Sequence, residues 1–171
     1  MATTCKLIAK NVLGSATSTV TFSSIPATYT DLLVFVSARS SNGNMPAGSA
    51  DFLKMALNST AISSVRYLYA SQSATGSATN PNAIGYLTDN NTTSNTFASI
   101  EIYVPNYAGT TAKSVSATSV TENNATAASM AVWAGLYSSV TSAVTSVEFT
   151  TNNAANFATG SSFFLYGITK A

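Results

Sequence analysis

Between Thr96 and Asn124 the chain alternates apolar and polar residues twice, with a turn between the two runs. Ile100, Ile102 and Val104 fall on one phase, and Glu101 and Tyr103 on the other. That is the two-residue period of a strand burying a single face. Pro105, Asn106 and Gly109 interrupt the run, because proline has no N–H for a ladder and glycine accepts positive φ. Val115, Ala117 and Ser119 resume the alternation, so the segment reads as an antiparallel hairpin with a long loop. No window carries a sustained apolar stripe at the helical period, which leaves all-β as the fold class.

The rest of the chain follows the same rule. Cys5 to Val12 reads as a first strand, ended by Gly14 and Ser15, and Thr17 to Phe22 as a second. Ser23 to Thr30 is a connection in which Ile25 is held extended by Pro26. Asp31 to Arg39 has large apolar residues at every position from Leu32 to Val36. Neither of its faces is polar, so it is expected to be central and covered on both sides. Phe52 to Leu57 turns Leu53, Met55 and Leu57 inward. Ser64 to Ala70 places Val65, Tyr67 and Tyr69 on one face, with Arg66 and Leu68 on the other. Ile84–Leu87, Met130–Tyr137, Val144–Thr150 and Phe163–Ile168 complete the set. On Met130–Tyr137, Trp133 shares a face with Ala131 and Tyr137, while Met130, Val132 and Leu136 occupy the other phase, so this strand too is expected to be buried on both sides.

Ser40–Ala50, Ser71–Asn82, Thr88–Asn95 and Asn152–Ser162 carry the glycine, asparagine and serine punctuation of loops, and Thr121–Ser129 reads as a loop or a single helical turn. About ten short strands at this spacing predict one domain over residues 1–171, an antiparallel two-sheet β-sandwich of jelly-roll-like form.

Composition narrows the chemistry. Charged residues are 8% of the chain, and 7 basic against 6 acidic residues leave a net charge of +1. No basic stripe is present to neutralise a row of phosphates, so no nucleic-acid partner is expected. Histidine is absent, which removes the usual general base and, with a single cysteine, the ligands of a zinc site. The expectation is a non-enzymatic protein with no cofactor, no metal and no catalytic residues. Glu101, Glu122 and Glu148 are the acids worth weighing as a glycosidase-type pair, and each is more simply a solvated or ion-paired charge. Cys5 is read as a small buried hydrophobe on the first strand. Gly135 and Gly167, alone within strands, mark a bulge or a close approach. The segment MATTCKLIAK lacks the apolar core of a secretory signal, and no run has the ~18 apolar residues of a membrane span. The chain is therefore expected to be soluble, made in a cytoplasm, with no membrane partner.

A surface this poor in charge has little repulsion of its own and suits a chain held among other subunits. Trp133, Tyr67, Tyr69, Tyr86, Tyr103 and Tyr107 admit a sugar-stacking platform or packing in a core or subunit interface, and the second reading is preferred. Asn58, Asn90 and Asn124 head glycosylation-type triplets, a match expected by chance in so Asn- and Thr-rich a chain.

FSSIPATYTDLLV (Phe22 to Val34), IEIYVPNYAGTTAKSVSATSVTENNAT (Ile100 to Thr126), VWAGLYSS (Val132 to Ser139) and FATGSSFFLYGITKA (Phe157 to Ala171) together resemble a family of small virion structural proteins from tailed bacteriophages of cyanobacteria and other aquatic bacteria. The resemblance implies a virion protein made in the host cytoplasm, without cofactor. It is compatible with a capsid decoration (cement) protein whose partners are the major capsid protein and copies of itself, in a homo-oligomer such as a trimer. Contacts are expected from Ser40–Ala50, Ser71–Asn82 and the N-terminal segment. The alternative is a receptor-recognition module of a tail or head fibre that binds host surface glycan.

Overall fold

A computed structural model describes residues 4–43, 51–71, 75–79, 82–122 and 127–169. In chain order the strands are β1 (Cys5–Val12), β2 (Thr19–Phe22), β3 (Asp31–Ala38), β4 (Asp51–Leu57), β5 (Thr60–Ala61), β6 (Ser64–Ala70) and β7 (Thr75–Ala78). They continue with β8 (Ala83–Leu87), β9 (Ala98–Val104), β10 (Lys113–Glu122), β11 (Ala128–Tyr137), β12 (Val147–Thr151) and β13 (Ser162–Ile168). The larger sheet has eight strands in the order β1-β13-β3-β9-β10-β11-β6-β7. The smaller runs β2-β12-β4-β5, with β8 also paired to β4. All strand pairings are antiparallel. The expected antiparallel two-sheet β-sandwich is thus observed, though with more strands than the turn spacing suggested.

Inward-facing positions alternate with outward ones as the sequence required. Ile100, Ile102 and Val104 of β9 and Val115 and Ala117 of β10 are buried in one apolar cluster that spans both sheets and also holds Leu53, Met55 and Leu57 of β4. Each of the valine, leucine, isoleucine and methionine side chains contributes about 1.5–3 kcal/mol when withdrawn from water. Trp133 lies at the centre of an aromatic group: its ring stacks on Tyr67 at 4.1 Å and 21°, and meets Tyr86 and Phe52 edge-on. The Trp133 Nε1–H donates to Ser119 Oγ at 2.9 Å, so the buried indole keeps its hydrogen bond. Tyr137 ties the sheets directly, its hydroxyl donating to the Met55 carbonyl at 2.7 Å. Burial holds that phenol far above its ordinary range.

Several expectations need correction. β3 is central, between β13 and β9, yet only one of its faces is covered, because Phe35 is exposed and Leu33 half-exposed. β11 is likewise open on the side of Met130, Val132 and Leu136. The apolar runs that read as doubly buried instead form the outside of the larger sheet. Ser71–Asn82, expected as a loop, contains the edge strand β7, and Thr121–Ser129 is strand at both ends. Residues 44–50, 72–74, 80–81 and 123–126 of the expected loops lie outside the described residues. Cys5 is exposed on the edge strand β1 rather than buried: its register partner Ile168 shares the outward phase of Phe164 and Tyr166.

The strand glycines mark close approaches by side chains. A Cβ on Gly167 would lie 2.3 Å from the Tyr29 ring, and one on Gly135 would lie 2.2 Å from Ile62 Cδ1. The ring is rigid and the Ile62 tip is flexible, so the two sites differ in tolerance. Gly167→Ala is expected to cost about 2–3 kcal/mol in urea unfolding and Gly135→Ala about half as much. Equal costs, or none at Gly167, would show that Tyr29 is not locked in place.

Candidate functional site

The described side chains hold no catalytic arrangement of the acids weighed from sequence. Glu101 projects from the outer face of the larger sheet, while Glu148 lies on β12 of the smaller one. Glu122, at the end of β10, accepts hydrogen bonds from the Thr93 N–H (2.7 Å), Thr93 Oγ1 (3.0 Å) and Thr96 Oγ1 (2.8 Å). It anchors a loop. The aromatic residues do not form a platform either. Trp133 and Tyr107 are fully buried, Tyr67, Tyr69 and Tyr86 gather in the core, and Tyr103 is on the outer face with its hydroxyl donating to Asp31. Among the described residues no group of three or more acidic or thiol side chains converges.

What the fold does build is one ordered polar end. Arg39 follows β3, and its buried guanidinium reaches into the turn over Thr88–Asn95. Nη1 donates to Thr92 Oγ1 (3.0 Å), the Thr93 carbonyl (2.8 Å) and the Thr96 carbonyl (3.3 Å), and Nη2 donates to the Thr92 carbonyl (3.4 Å). A hydroxyl-rich turn supplies the acceptors, so among the described residues this cation is held without a carboxylate in direct contact. The turn grips the segment after Arg39 in return. Asn90 Nδ2 donates to the Ser41 carbonyl at 2.8 Å, and the Asn90 N–H donates to the Asn42 carbonyl at 2.9 Å. The third loop joins through Ser41 N–H to the Asn156 carbonyl (2.8 Å), Asn156 N–H to Ser41 Oγ (3.0 Å) and Arg39 N–H to Ser161 Oγ (3.2 Å). The exposed tips of this end are Ser41, Asn90, Ser94, Asn95, Asn156 and Thr159, all uncharged.

Two carboxylates lie beneath it. Asp51 and Asp89 are fully buried, and each engages one oxygen: Asp51 Oδ1 accepts from the Phe52 N–H, and Asp89 Oδ1 from the Asn91 N–H. Oδ2 of each has no partner among the described residues. Burial raises the Asp89 carboxyl above its ordinary value, the backbone N–H of Asn91 works against this, Asp51 adds to it, and Arg39 offsets part of it.

The second distinctive surface is the outer face of the larger sheet. Leu68 is 65% exposed, and Val120, Met130, Val132 and Leu136 are 41–49% exposed. They are cross-strand neighbours: Val120 faces Met130 across β10 and β11, and Val132 faces Leu68 across β11 and β6. Beside them runs an apolar groove of about 370 Å³ lined by Leu68, Val132 and Ala134, with Arg66 and Ser77 at its walls. A patch this contiguous is unusual on a chain that works alone.

The alternation of Ser64–Ala70 placed Arg66 and Leu68 on the face opposite Val65, Tyr67 and Tyr69, as observed, whereas Arg39 and the open face were missed, and most of Ser40–Ala50 lies outside the described residues. A lone arginine after the apolar run Leu32–Val36 was the available signal for Arg39. Comparison with protein-family models, with curated proteins and with solved structures finds no match to this chain.

Two substitutions test this end of the molecule. Arg39→Met removes the only donor to the Thr92 carbonyl among the described residues, while Thr92 Oγ1 keeps the Asp89 N–H, the Thr93 carbonyl keeps Thr96 and the Thr96 carbonyl keeps Thr88 Oγ1, so a cost of about 1–3 kcal/mol is expected in urea unfolding. Asp89 has a folded-state pKa raised above its unfolded one, so the stability it contributes is complete below the unfolded value and declines as pH rises through the folded value. Asp89→Asn is therefore expected to be more stable than the native chain at neutral pH, and the difference should shrink in acid. Unfolding curves that stay parallel across that pH range would remove Asp89 as the responsible group.

Proposed function

We propose that this chain is a non-enzymatic structural protein of a tailed-phage virion, a capsid decoration protein that binds the outer shell and stabilises neighbouring capsomers as a homo-oligomer. The observation that carries the reading is the open apolar face of the larger sheet, on a chain with few charges to keep its copies apart. Such a surface is suited to burial against protein. The resemblance of its strand and loop segments to small phage virion proteins supports the setting. The rigid polar end supports a separate shell contact, because loops fixed by Arg39 and Glu122 lose little conformational freedom on binding. A modest contact of this kind, repeated at every capsomer, stabilises a shell through its multiplicity.

The fibre reading, in which the protein recognises glycan, draws on the tyrosines and on the Asn, Ser and Thr supply; most of the tyrosines are taken up in the core, while the loop tips keep their amides and hydroxyls. The two are separated by mixing purified protein with mature capsids that lack it and measuring the copies that co-sediment. Saturable binding at a fixed number per capsid is expected, and Asn90→Lys with Asn95→Lys at the loop tips should lower occupancy about tenfold. Absence of binding to shells, with adsorption to host cells, would replace the decoration reading with the fibre one.

A further inference from the structure

The open face carries its own complement, and we propose that it pairs with the same face of a second copy of this chain about a two-fold axis. The inference rests on the self-assembling part of the reading above and assigns it a surface and a symmetry.

The argument starts from one row of side chains across the sheet. Register places Phe164, Phe35, Glu101, Thr118, Val132, Leu68 and Ser77 in line on the outer face. One half of this row is a knob: the exposed Phe35 ring, packed edge-on against Tyr166 at 5.9 Å, with Glu101 as its cross-strand neighbour. The other half is the groove of Leu68, Val132 and Ala134, with Arg66 at its wall. A two-fold axis lying in the interface and running along the strands between β10 and β11 superposes β9 of one copy on β6 of the other, and β3 on β7. It brings each knob to the partner's groove and each Glu101 beside the partner's Arg66. Arg66 lies one row from Leu68, about 7 Å along the strand, a distance its long side chain spans. The contact is isologous, so both pairs form at once.

Three further features fit this occupant. Along the proposed axis β10 presents Ser114, Ser116 and Thr118, small side chains that let β11 of the partner approach to the ~10 Å of packed sheets. The remaining acids at the rims of this face are already engaged, Asp31 by Tyr103 and the Asn106 N–H, and Glu122 by Thr93 and Thr96. From β3 to β7 the face covers roughly 600 Å² of plane before side-chain relief is counted, close to the ~800 Å² per partner of a specific interface. The sheet's edges are unsuited to pairing by comparison: β1 carries Lys6 and Lys10 and a register shift between Leu7 and Ala9, and β7 is only four residues long.

Sedimentation of the purified full chain tests the proposal with no capsid present. Between about 1 and 100 μM it should convert to a species of twice the 17.6 kDa chain mass. Leu68→Glu, at an exposed position that leaves the fold intact, should give monomer with unchanged thermal unfolding. Arg66→Glu and Glu101→Arg should each weaken pairing about tenfold or more, and the two together should restore it to within about threefold. A chain that stays monomeric, one that forms trimers, or a dimer indifferent to all four variants would overturn the inference. A dimer that passes these tests yet fails to co-sediment with shells would leave the inference standing and remove only the shell-binding reading.

Discussion

A buried guanidinium with no carboxylate in contact sets the order at one end of this sandwich. Arg39 stands where β3 leaves the sheet, and its donors are spent on the carbonyls and a hydroxyl of a single turn. Removing a charge from water costs several kcal/mol unless its hydrogen bonds are replaced, so the turn must hold one shape for the arginine to remain inside. That shape in turn fixes Ser41, Asn42 and Asn156 through backbone and amide contacts. Three loops remote in sequence become one surface. Lys113 repeats the device at the hairpin loop after β9, donating to the Gly109 and Thr111 carbonyls at 2.7 and 2.5 Å while burial lowers its pKa.

The fold was legible because its cause is local. Alternation at Ile100, Ile102 and Val104, and again at Val115 and Ala117, assigns inside and outside residue by residue, and the structure follows that assignment, with Leu53, Met55 and Leu57 in the same core. The face of β6 bearing Arg66 and Leu68 was readable for the same reason. What alternation does not reveal is whether the second face is covered. Leu33 and Phe35 on β3, and Val132 and Leu136 on β11, are apolar on the outward phase. A strand buried by its own chain and one waiting for another chain share that pattern. Arg39 was missed on different grounds, since its acceptors are backbone carbonyls of a turn about fifty residues away, and carbonyls leave no signature in sequence. Thr75–Ala78 was hidden too, because Thr-Gly-Ser-Ala has loop composition and becomes strand only through its register with Tyr67 to Ala70.

The two outer surfaces divide the physical work. The outer face of the larger sheet presents large aliphatic side chains, with Glu101 and Arg66 as the charges that the proposed pairing would join. At the loop end, hydroxyls and amides are held in place by the buried Arg39 and the half-buried Glu122. Folding energy comes from the layer between them, where Trp133 and its aromatic neighbours join the sheets, and neither surface has to be sacrificed to maintain it.

The uncharged tips of the Arg39 end bear on kinetics and on solvent. With no field to steer an approaching partner, encounter proceeds at the ordinary rate of neutral surfaces, about 10⁵–10⁶ M⁻¹s⁻¹, well short of electrostatically guided association. The same lack of charge leaves dissolved ions almost nothing to screen. Contacts made through Ser41, Asn90, Asn95 and Thr159 would thus form slowly and hold equally well in dilute buffer and in brine.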